Sequence, residues 1–332
     1  MQPERRRAHP SNDNGNYVNE DSINSMGDFV DAAVEPQSTE GTKRQKTRYV
    51  IISPVRDEGE YIEETILSVM RQTVQPAHWV IVDDGSSDDT AGIAGAYAER
   101  CGWISCVRRS NRGHRAPGAG VIEAFEEGYA ALSRSDWEFV VKLDGDLTLP
   151  PDYFEKCFEQ FEGDPSLGIG GGTLYHLENG EVRYEANPRF HVRGATKMYR
   201  RACWEALGGL LRSPGWDSVD EVKANYLGWR TRSFPDVKAL HKRPTGRAMG
   251  AWSDAVKNGL ADYVAGYHPL FLLAKCVRRC AQRPYLVCSL GMLFGAAKGY
   301  IRRVPRVPEP KLVKYLRRQQ LRRLAGLETI WR

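Results

Sequence analysis

The sequence lacks any apolar run long enough to cross a lipid bilayer. Its longest mainly apolar stretch, residues 285–297, stops at Lys298, whereas a membrane-spanning helix needs about 20 apolar residues. The opening stretch M-Q-P-E-R-R-R-A-H-P also lacks the apolar segment of a secretory signal. We therefore expect a cytoplasmic protein whose contact with a membrane, if any, is at the surface.

Paired cysteines are also absent. The seven cysteines are odd in number, scattered along the chain and without a C-x-x-C motif, which argues against a disulfide framework and a zinc site. Cys276 and Cys280 lie four residues apart, as two helical metal ligands can. Their segment is rich in leucine and has no obvious histidine or acidic partner, so packing is the favoured interpretation.

Acidic residues are scarce in the C-terminal part of the chain. Residues 271–332 contain fifteen Lys or Arg and two Glu, a charge of +13 that leaves −8 for the first 270 residues, since the net charge is +5. The basic residues alternate with Leu, Phe, Tyr and Val, a pattern that favours an anionic membrane surface as partner. The alternative is a helical hairpin packed on the preceding domain. Nucleic acid is disfavoured, because no recognition motif is present.

These differences in composition and hydrophobic pattern divide the chain into three predicted regions. Residues 1–46 have no apolar period and are predicted to be disordered. Residues 47–248 form the predicted main domain. Residues 249–332 are predicted to be a basic, apolar-rich helical extension at the inner face of the cytoplasmic membrane.

From Arg48 onward, short apolar runs alternate with helical patterns. Y-V-I-I-S, H-W-V-I-V-D, W-I-S-C-V and F-V-V-K-L-D are predicted strands, and segments with helical spacing separate them. This alternation predicts an α/β fold with a mostly parallel central sheet and helices on both faces. Because ligands of such sheets bind at the carboxyl ends of the strands, Asp57, Asp83-Asp84 and Asp144-Gly145-Asp146 are expected on one edge.

Crowded carboxylates repel one another unless a cation lies between them. Mg²⁺ and Mn²⁺ prefer oxygen ligands and often take one or two carboxylates together with substrate phosphates. Asp144-Gly145-Asp146 at a strand end suits that use. The Gly-rich stretch L-G-I-G-G-G-T-L-Y-H, in contrast, is followed by a strand-like sequence, so it is predicted to be a strand or turn and not a dinucleotide loop.

Five motifs occur in order at predicted strand ends: I-S-P-V-R-D-E-G-E-Y-I, S-V-M-R-Q-T, V-I-V-D-D-G-S-S-D-D-T, N-R-G and K-L-D-G-D. In this order they resemble the family 2 inverting glycosyltransferases of the GT-A fold, over about residues 48–241. The resemblance implies metal-dependent transfer of a sugar from a nucleotide-diphosphate sugar to an acceptor hydroxyl, in polysaccharide or glycolipid assembly.

The resemblance also implies roles for individual residues. Asp144 and Asp146 would form the motif that binds Mn²⁺ or Mg²⁺, with Asp146 favoured as the direct ligand and Asp144 nearer the ribose. His241 would contact the metal or the diphosphate. Lys242 or Arg243 could also meet phosphate charge. The residues expected to contact the nucleotide are Pro54, Asp57, Glu58, Asp83, Asp84 and Asp144.

The segment S-P-G-W-D-S-V-D-E-V-K-A-N-Y-L-G-W-R-T is similar to the family's catalytic helix. The family's usual order is Glu-Asp, whereas this chain has Asp220-Glu221, with Asp217 nearby. Asp220 is the predicted catalytic base and Glu221 the second choice. Capping of a helix N-terminus explains one of these acids but not all three.

Several alternatives stay open. Q-Q-L-R-R, residues 319–323, is a faint match to a motif of processive polysaccharide synthases, but it lacks the tryptophan, so transfer of a single sugar to a glycan or polyprenyl-linked sugar is favoured. A sugar-phosphate nucleotidyltransferase would need a Gly-rich phosphate loop after the first strand, where P-V-R-D-E-G-E stands. A non-catalytic sugar-binding protein of this fold would not need Asp144, Asp146 and Asp220.

Overall fold

A computed structural model describes residues 47–114, 118–185, 188–243, 250–281 and 284–331. The segment predicted to be disordered, residues 1–46, lies outside the described residues. The strands are β1 Tyr49–Val55, β2 His78–Asp83, β3 Ile104–Arg108, β4 Phe139–Leu143, β5 Leu147–Thr148, β6 Leu167–Glu178, β7 Glu181–Tyr184, β8 Thr196–Arg200 and β9 Arg230–His241. The helices are α1 Ile62–Met70, α2 Thr90–Arg100, α3 Ala119–Ala130, α4 Tyr153–Glu162, α5 Arg201–Leu207, α6 Trp216–Tyr226, α7 Gly250–Val264, α8 Pro269–Cys280, α9 Val287–Ile301 and α10 Pro310–Leu324.

The strands form one sheet in the order β3-β2-β1-β4-β8-β6-β9-β5, with β7 paired to β6. β1 is parallel to β2 and β4, and β2 is parallel to β3. β8 runs antiparallel to both β4 and β6, so β6 and its parallel neighbour β9 run in the direction of β1. Six of the described strands therefore share one direction, and the prediction of a mostly parallel sheet is confirmed.

The strands alternate their side chains between two apolar cores, one on each face of the sheet. Tyr49 and Ile51 of β1 pack with α1, α2 and α4, while Val50 and Ile52 pack with α3, α5 and α6. Six of the seven residues of β1 are buried, on both faces, which explains why its sequence is mainly apolar. The predicted helices on both faces are confirmed.

The Gly-rich stretch is part of β6, as predicted. A Cβ at Gly171 would lie 2.3 Å from the carbonyl oxygen of Thr196 in β8. The glycine therefore allows β6 and the segment at the start of β8 to approach each other. No helix follows the stretch directly, since β6 continues to Glu178.

The C-terminal helices pack against α6. Val219 and Val222 of α6 lie in one buried cluster with Val307, Leu312 and Leu316. Among the residues that the structure describes, no helix combines the length and hydropathy needed to span a bilayer. The boundary at residues 248 and 249 stays a prediction.

Candidate active site

The carboxyl ends of β1 and β2 bring the first acidic side chains together. Val55 lies opposite Asp83 in the parallel register, and the amide of Asp84 donates to the carbonyl of Val55 at 2.8 Å. Asp57 has a positive φ of 52°, and its Oδ1 accepts hydrogen bonds from the amide and hydroxyl of Ser87 at 2.9 and 3.0 Å. Asp83 Oδ1 accepts from a backbone amide three residues later at 3.0 Å. Asp57 and Asp83 thus shape the loop after β2.

Asp84 is bound by two arginines from the segment after β3. Its Oδ1 accepts from Arg109 and from Arg112, and Arg109 Nε also donates to Glu127 of α3 at 2.8 Å. A cavity of about 520 Å³ opens here, lined by Arg108, Arg109, Ser110, Arg112, Glu123 and Glu127. The edge of the sheet near Asp84 is therefore a polar cavity with both signs of charge.

Pro54 lies in β1 opposite Val82 of β2, and Glu58 follows it four positions later. The amide of Glu58 donates to the hydroxyl of Thr90 at 2.8 Å. The carboxylate of Glu58 pairs with Arg243, which follows β9. Glu58 therefore joins the loop after β1 to the segment after β9.

Asp144 and Asp146 face different partners although one residue separates them. Asp144 pairs with the buried ammonium of Lys142, and its amide donates to the carbonyl of Ala195 at 2.8 Å. A Cβ on Gly145 would lie 2.8 Å from Val55 Cγ1, so a glycine permits the close approach to β1. The two carboxylates consequently do not share one partner.

Asp146 lies beside His241, the last residue of β9. His241 Nε2 is 3.6 Å from Asp146 Oδ1, and His241 Nδ1 is 2.6 Å from Glu185 Oε1. Burial alone would lower the pKa of His241, but the carboxylates of Asp146 and Glu185 outweigh it and raise the pKa to about 9. Arg243 Nε lies 3.5 Å from the other oxygen, Asp146 Oδ2. Cations of the protein therefore surround Asp146.

The pair Asp146 and His241 fits a divalent cation that displaces the proton of His241, because an imidazole binds a metal only in its neutral form. Asp146 Oδ1 is buried and accepts no hydrogen bond from the described residues, and an imidazole nitrogen faces it. Within the described ranges no group of three or more His, Cys, Asp or Glu side chains is arranged to hold a metal. Two protein ligands suffice where substrate phosphates supply others, as is usual for Mg²⁺.

The N-terminus of α6 approaches Asp144 through residues 194–195. A Cβ on Gly194 would lie 3.4 Å from Cβ of Asp217 and 2.9 Å from the ring of Trp216. The next residue, Ala195, accepts the hydrogen bond from the amide of Asp144. Asp217 is half-buried and lies in the first turn of α6, where the helix dipole favours negative charge.

Asp220 and Glu221 lie deeper, around the buried ammonium of Lys197. Lys197 Nζ is 3.1 Å from Asp220 Oδ1 and 3.0 Å from Glu221 Oε1, and Tyr199 donates its hydroxyl to Asp220 Oδ2 at 2.6 Å. Asp220 is 4% exposed and Glu221 is fully buried. Burial raises the pKa of Asp220 to about 6, although Lys197 acts in the opposite direction. His191 Nδ1 lies 2.9 Å from Glu221 Oε2.

Several residues of the site were not predicted from the sequence. The quoted N-R-G motif contains Arg112, but its pairing with Asp84 depends on how β2 and β3 align. Lys142 and Lys197 lie opposite each other across β4 and β8. Lys142 begins the quoted K-L-D-G-D motif, but its pairing with Asp144 was not predicted. Neither Lys197 nor Glu185 is part of a recognised motif.

Residues 50–210 match the profile of a family described as Glycosyl transferase family 2. The chain is 25% identical over 202 residues to the putative glycosyltransferase EpsH of Bacillus subtilis strain 168, covering 55% of either chain. It is 29% identical over 117 residues to the poly-beta-1,6-N-acetyl-D-glucosamine synthase of Staphylococcus aureus strain COL, covering 35% of this chain and 26% of that one. The chain thus spans about half or less of the length of these relatives.

A solved structure with a similar fold is that of the mannosyltransferase PcManGT from Pyrobaculum calidifontis in complex with GDP-Man and Mn²⁺. The TM-score is 0.50 at 18% sequence identity, over 89% of this chain and 92% of that one. At this identity the likeness concerns the fold alone. It agrees with the GT-A fold expected from the motifs.

Proposed function

Residues 50–210 form a glycosyltransferase family 2 domain, and from this premise we propose that the protein transfers a sugar from a nucleoside-diphosphate sugar to an acceptor hydroxyl. The observation that carries the proposal is the arrangement at one edge of the sheet. There the arginine-bound Asp84 follows β2 and Asp146 follows β4, with His241 at the end of β9. The N-terminus of α6 approaches the same edge through residues 194–195. These groups suit, in turn, a nucleotide, a diphosphate with its cation and a sugar acceptor.

Asp84 and its arginines would bind the nucleoside. Glycosyl donors carry a base with adjacent hydrogen-bond donors and acceptors, and a carboxylate beside two guanidinium groups can match both. The cavity of about 520 Å³ at Arg109 and Arg112 is within the usual volume of a ligand pocket. Asp57, Asp83, Glu58 and Pro54 would support this pocket through the loops after β1 and β2.

Asp146 and His241 would hold Mn²⁺ or Mg²⁺ together with oxygens of the donor diphosphate. When bound, the cation supplies Lewis-acid neutralisation of the charge on the leaving diphosphate. Arg243, whose guanidinium already lies between Glu58 and Asp146, would add a fixed positive charge. Asp144, paired with Lys142, would contact the ribose and not the cation.

Asp217, and not Asp220, is the proposed catalytic base. A pKa of about 6 suits a base, but both oxygens of Asp220 are already hydrogen-bonded to Lys197 and one also to Tyr199. With 4% of its surface exposed, Asp220 has no room for an acceptor hydroxyl. Asp217 is half-buried and lies next to Gly194 in the first turn of α6, so it is more accessible than Asp220.

The reaction follows from this placement. Asp217 accepts the proton of the acceptor hydroxyl while the hydroxyl oxygen attacks the anomeric carbon. The bond from that carbon to the diphosphate oxygen breaks, and the electron pair leaves with the nucleoside diphosphate toward Arg243. Attack opposite the leaving group inverts the anomeric configuration.

The base assignment is tested with Asp217→Asn and Asp220→Asn. Nucleoside diphosphate release is measured over a panel of nucleotide sugars with glycan or polyprenyl-diphosphate-linked acceptors. We expect Asp217→Asn to lower kcat by roughly 10²–10⁴-fold, the usual contribution of a general base, with its thermal unfolding unchanged. Asp220→Asn should keep most of the activity of the molecules that remain folded. If folded Asp220→Asn lost turnover while Asp217→Asn kept it, Asp220 would be the catalytic base.

The metal site is tested by titrating Mn²⁺ into the protein in the presence of UDP or GDP, with electron paramagnetic resonance as the readout. Asp146→Asn should weaken Mn²⁺ binding at least about tenfold, because one of two protein ligands is lost. Asp144→Asn is the matched control, since its carboxylate is paired with Lys142. Equal losses in both variants would show that the two aspartates share the cation.

The acceptor and the location are parts of the same proposal. A lipid-linked sugar would reach the enzyme at a membrane surface, so we propose peripheral association with the inner face of the cytoplasmic membrane. Nucleotidyl transfer is the second candidate, but no observation favours it, because the loop after β1 carries Arg56, Asp57 and Glu58 and not a run of glycines. A non-catalytic role would predict no product release with any donor.

A further inference from the structure

Helices α7 and α9 pack with their backbones in direct contact. A Cβ on Gly295 would lie 2.0 Å from the carbonyl oxygen of Val256, and one on Gly259 would lie 2.0 Å from that of Met292. Gly291 of α9 approaches α7 in the same way. The small residues of α9 are thus used for packing on α7, and of its large apolar residues Met292 is buried whereas Leu290, Leu293, Phe294 and Ile301 stay exposed.

The large apolar residues of α8 and α9 are exposed in helical stripes. In α9 they recur at helical spacing and end at Ile301, which is 81% exposed; in α8 they end at Val277, which is 63% exposed. We call this set the apolar face: Leu270, Leu273, Val277, Leu286, Leu290, Leu293, Phe294 and Ile301.

Clustering distinguishes this face from ordinary surface leucines. Of eighteen exposed large hydrophobic side chains in the described part of the chain, eleven lie between residues 252 and 301. Single exposed apolar residues are normal on soluble proteins, but continuous patches mark binding surfaces. Trp252 of α7 extends the face, since its ring centroid lies 6.0 Å from that of Phe294.

Charge identifies the occupant. Residues 263–308 contain eight Lys or Arg and no Asp or Glu. The preceding Asp262 is buried and pairs with Lys275 at 2.9 Å, while Arg278, Arg302 and Arg303 are exposed. Apolar stripes with a mainly cationic rim match the acyl boundary and the phosphates of an anionic bilayer. Asp254 of α7, two residues from Trp252, is paired with Lys257 at 2.9 Å.

The lengths of the two helices set their orientation. α8 has 12 residues and α9 has 15, which correspond to about 18 and 22 Å. The hydrocarbon core of a bilayer is about 30 Å thick, so neither helix reaches across it. We propose that the apolar face binds the surface of an anionic lipid bilayer, with α8 and α9 lying in the plane of the interface.

The test uses the full-length protein, purified without detergent, in vesicle flotation. Vesicles of phosphatidylcholine alone are compared with vesicles that contain about 30% phosphatidylglycerol, because the basic rim requires anionic lipid. The wild type should float with the anionic vesicles and be released in part by about 0.5 M NaCl, which screens surface charge.

The apolar face is tested with the double variant Leu290→Ser/Phe294→Ser. Both side chains are exposed, so the fold should persist while the membrane partition coefficient falls at least about tenfold. Leu177→Ser/Tyr184→Ser, exposed on β6 and β7, is the matched control and should bind as the wild type does. Light scattering of the same proteins without vesicles gives their oligomeric state.

Three outcomes would overturn the proposal. The wild type could fail to bind anionic vesicles, or the Leu290→Ser/Phe294→Ser variant could bind them as strongly as the wild type does. A dimer that this variant dissociates, without any vesicle binding by the wild type, would identify a second copy of the chain as the occupant. The inference rests on the membrane location given under the proposed function, but because flotation needs no substrate, its result is independent of the proposed sugar transfer.

Discussion

Replacing Lys197 with methionine should destabilise the fold more than any surface change of charge. The side chain is fully buried, and its ammonium lies about equally far from Asp220 and Glu221, at 3.1 and 3.0 Å. Methionine is of similar length and removes only the charge and its hydrogen bonds. The two buried carboxylates would then lack the ammonium, and within the described residues only Glu221 would keep a neighbouring basic group, the imidazole of His191 at 2.9 Å.

The magnitude follows from the burial of the cluster. Removing one partner of a buried ion pair costs about 3–5 kcal/mol, because the remaining charge is left uncompensated. An exposed pair is worth about 0–1 kcal/mol. Lys156 pairs with Asp152 at 2.6 Å with 51% of its side chain exposed, so Lys156→Met is the matched control. Since domains of this kind are stable by about 5–15 kcal/mol, the Lys197 variant should still fold.

The measurement is urea unfolding at pH 7.5, followed by fluorescence of the tryptophans. Lys197→Met should lose about 3–5 kcal/mol and Lys156→Met less than about 0.5 kcal/mol. Adding Asp220→Asn to Lys197→Met should recover part of the loss, because one of the two unpaired charges is removed. A loss below about 1 kcal/mol in Lys197→Met would refute the reasoning, since it would mean that water or other groups neutralise the two acids.

Two further predictions concern Asp220 and the packing of α7 and α9. The pKa of Asp220 is raised to about 6 in the folded protein, so its ionisation opposes folding as the pH rises from about 4 to 6. In urea unfolding the free energy of unfolding of the wild type should fall by up to about 3 kcal/mol relative to that of Asp220→Asn over this pH range. Parallel plots of unfolding free energy against pH for the two proteins would contradict this. Gly295→Ala places a Cβ 2.0 Å from the carbonyl oxygen of Val256 and should lower the stability by about 1–3 kcal/mol in thermal unfolding. The control Gly102→Ala, whose Cβ meets nothing within 4 Å, should be nearly neutral. Equal melting temperatures of the two variants would show that α7 and α9 separate freely.

The fold was predictable because its local signals agree. β2 was predicted as H-W-V-I-V-D and is His78–Asp83, since a strand buried on both faces is continuously apolar. Asp84 and Asp146 were predicted to lie at strand ends, because each closely follows such an apolar run, and ligands of parallel sheets bind at the carboxyl ends of the strands. Pairing between distant segments was not predictable. Glu185 meets His241 only because the segment after β7 lies beside the end of β9.

Lys197 shows why the buried part of the site could not be predicted. In T-K-M-Y-R three of the five residues are polar, so the strand lacks the continuous apolar run that is typical of burial on both faces. β8 is instead a central strand between β4 and β6, so both faces are covered and the lysine must find carboxylates. Asp220 and Glu221 supply them from α6, about one turn past Asp217.

The acids of α6 therefore divide into two functions. Lys197 Nζ contacts the carbonyl oxygen of Asp217 at 2.5 Å as well as the carboxylate of Asp220, and it lies 5.4 Å from the ring centroid of Trp216. One ammonium thus joins the first turn of α6 to β8. Asp220 and Glu221 keep this ammonium charged within the core, because their carboxylates outweigh the effect of burial and raise the pKa of Lys197. The buried pair would then position the half-buried Asp217, which is left available for the acceptor.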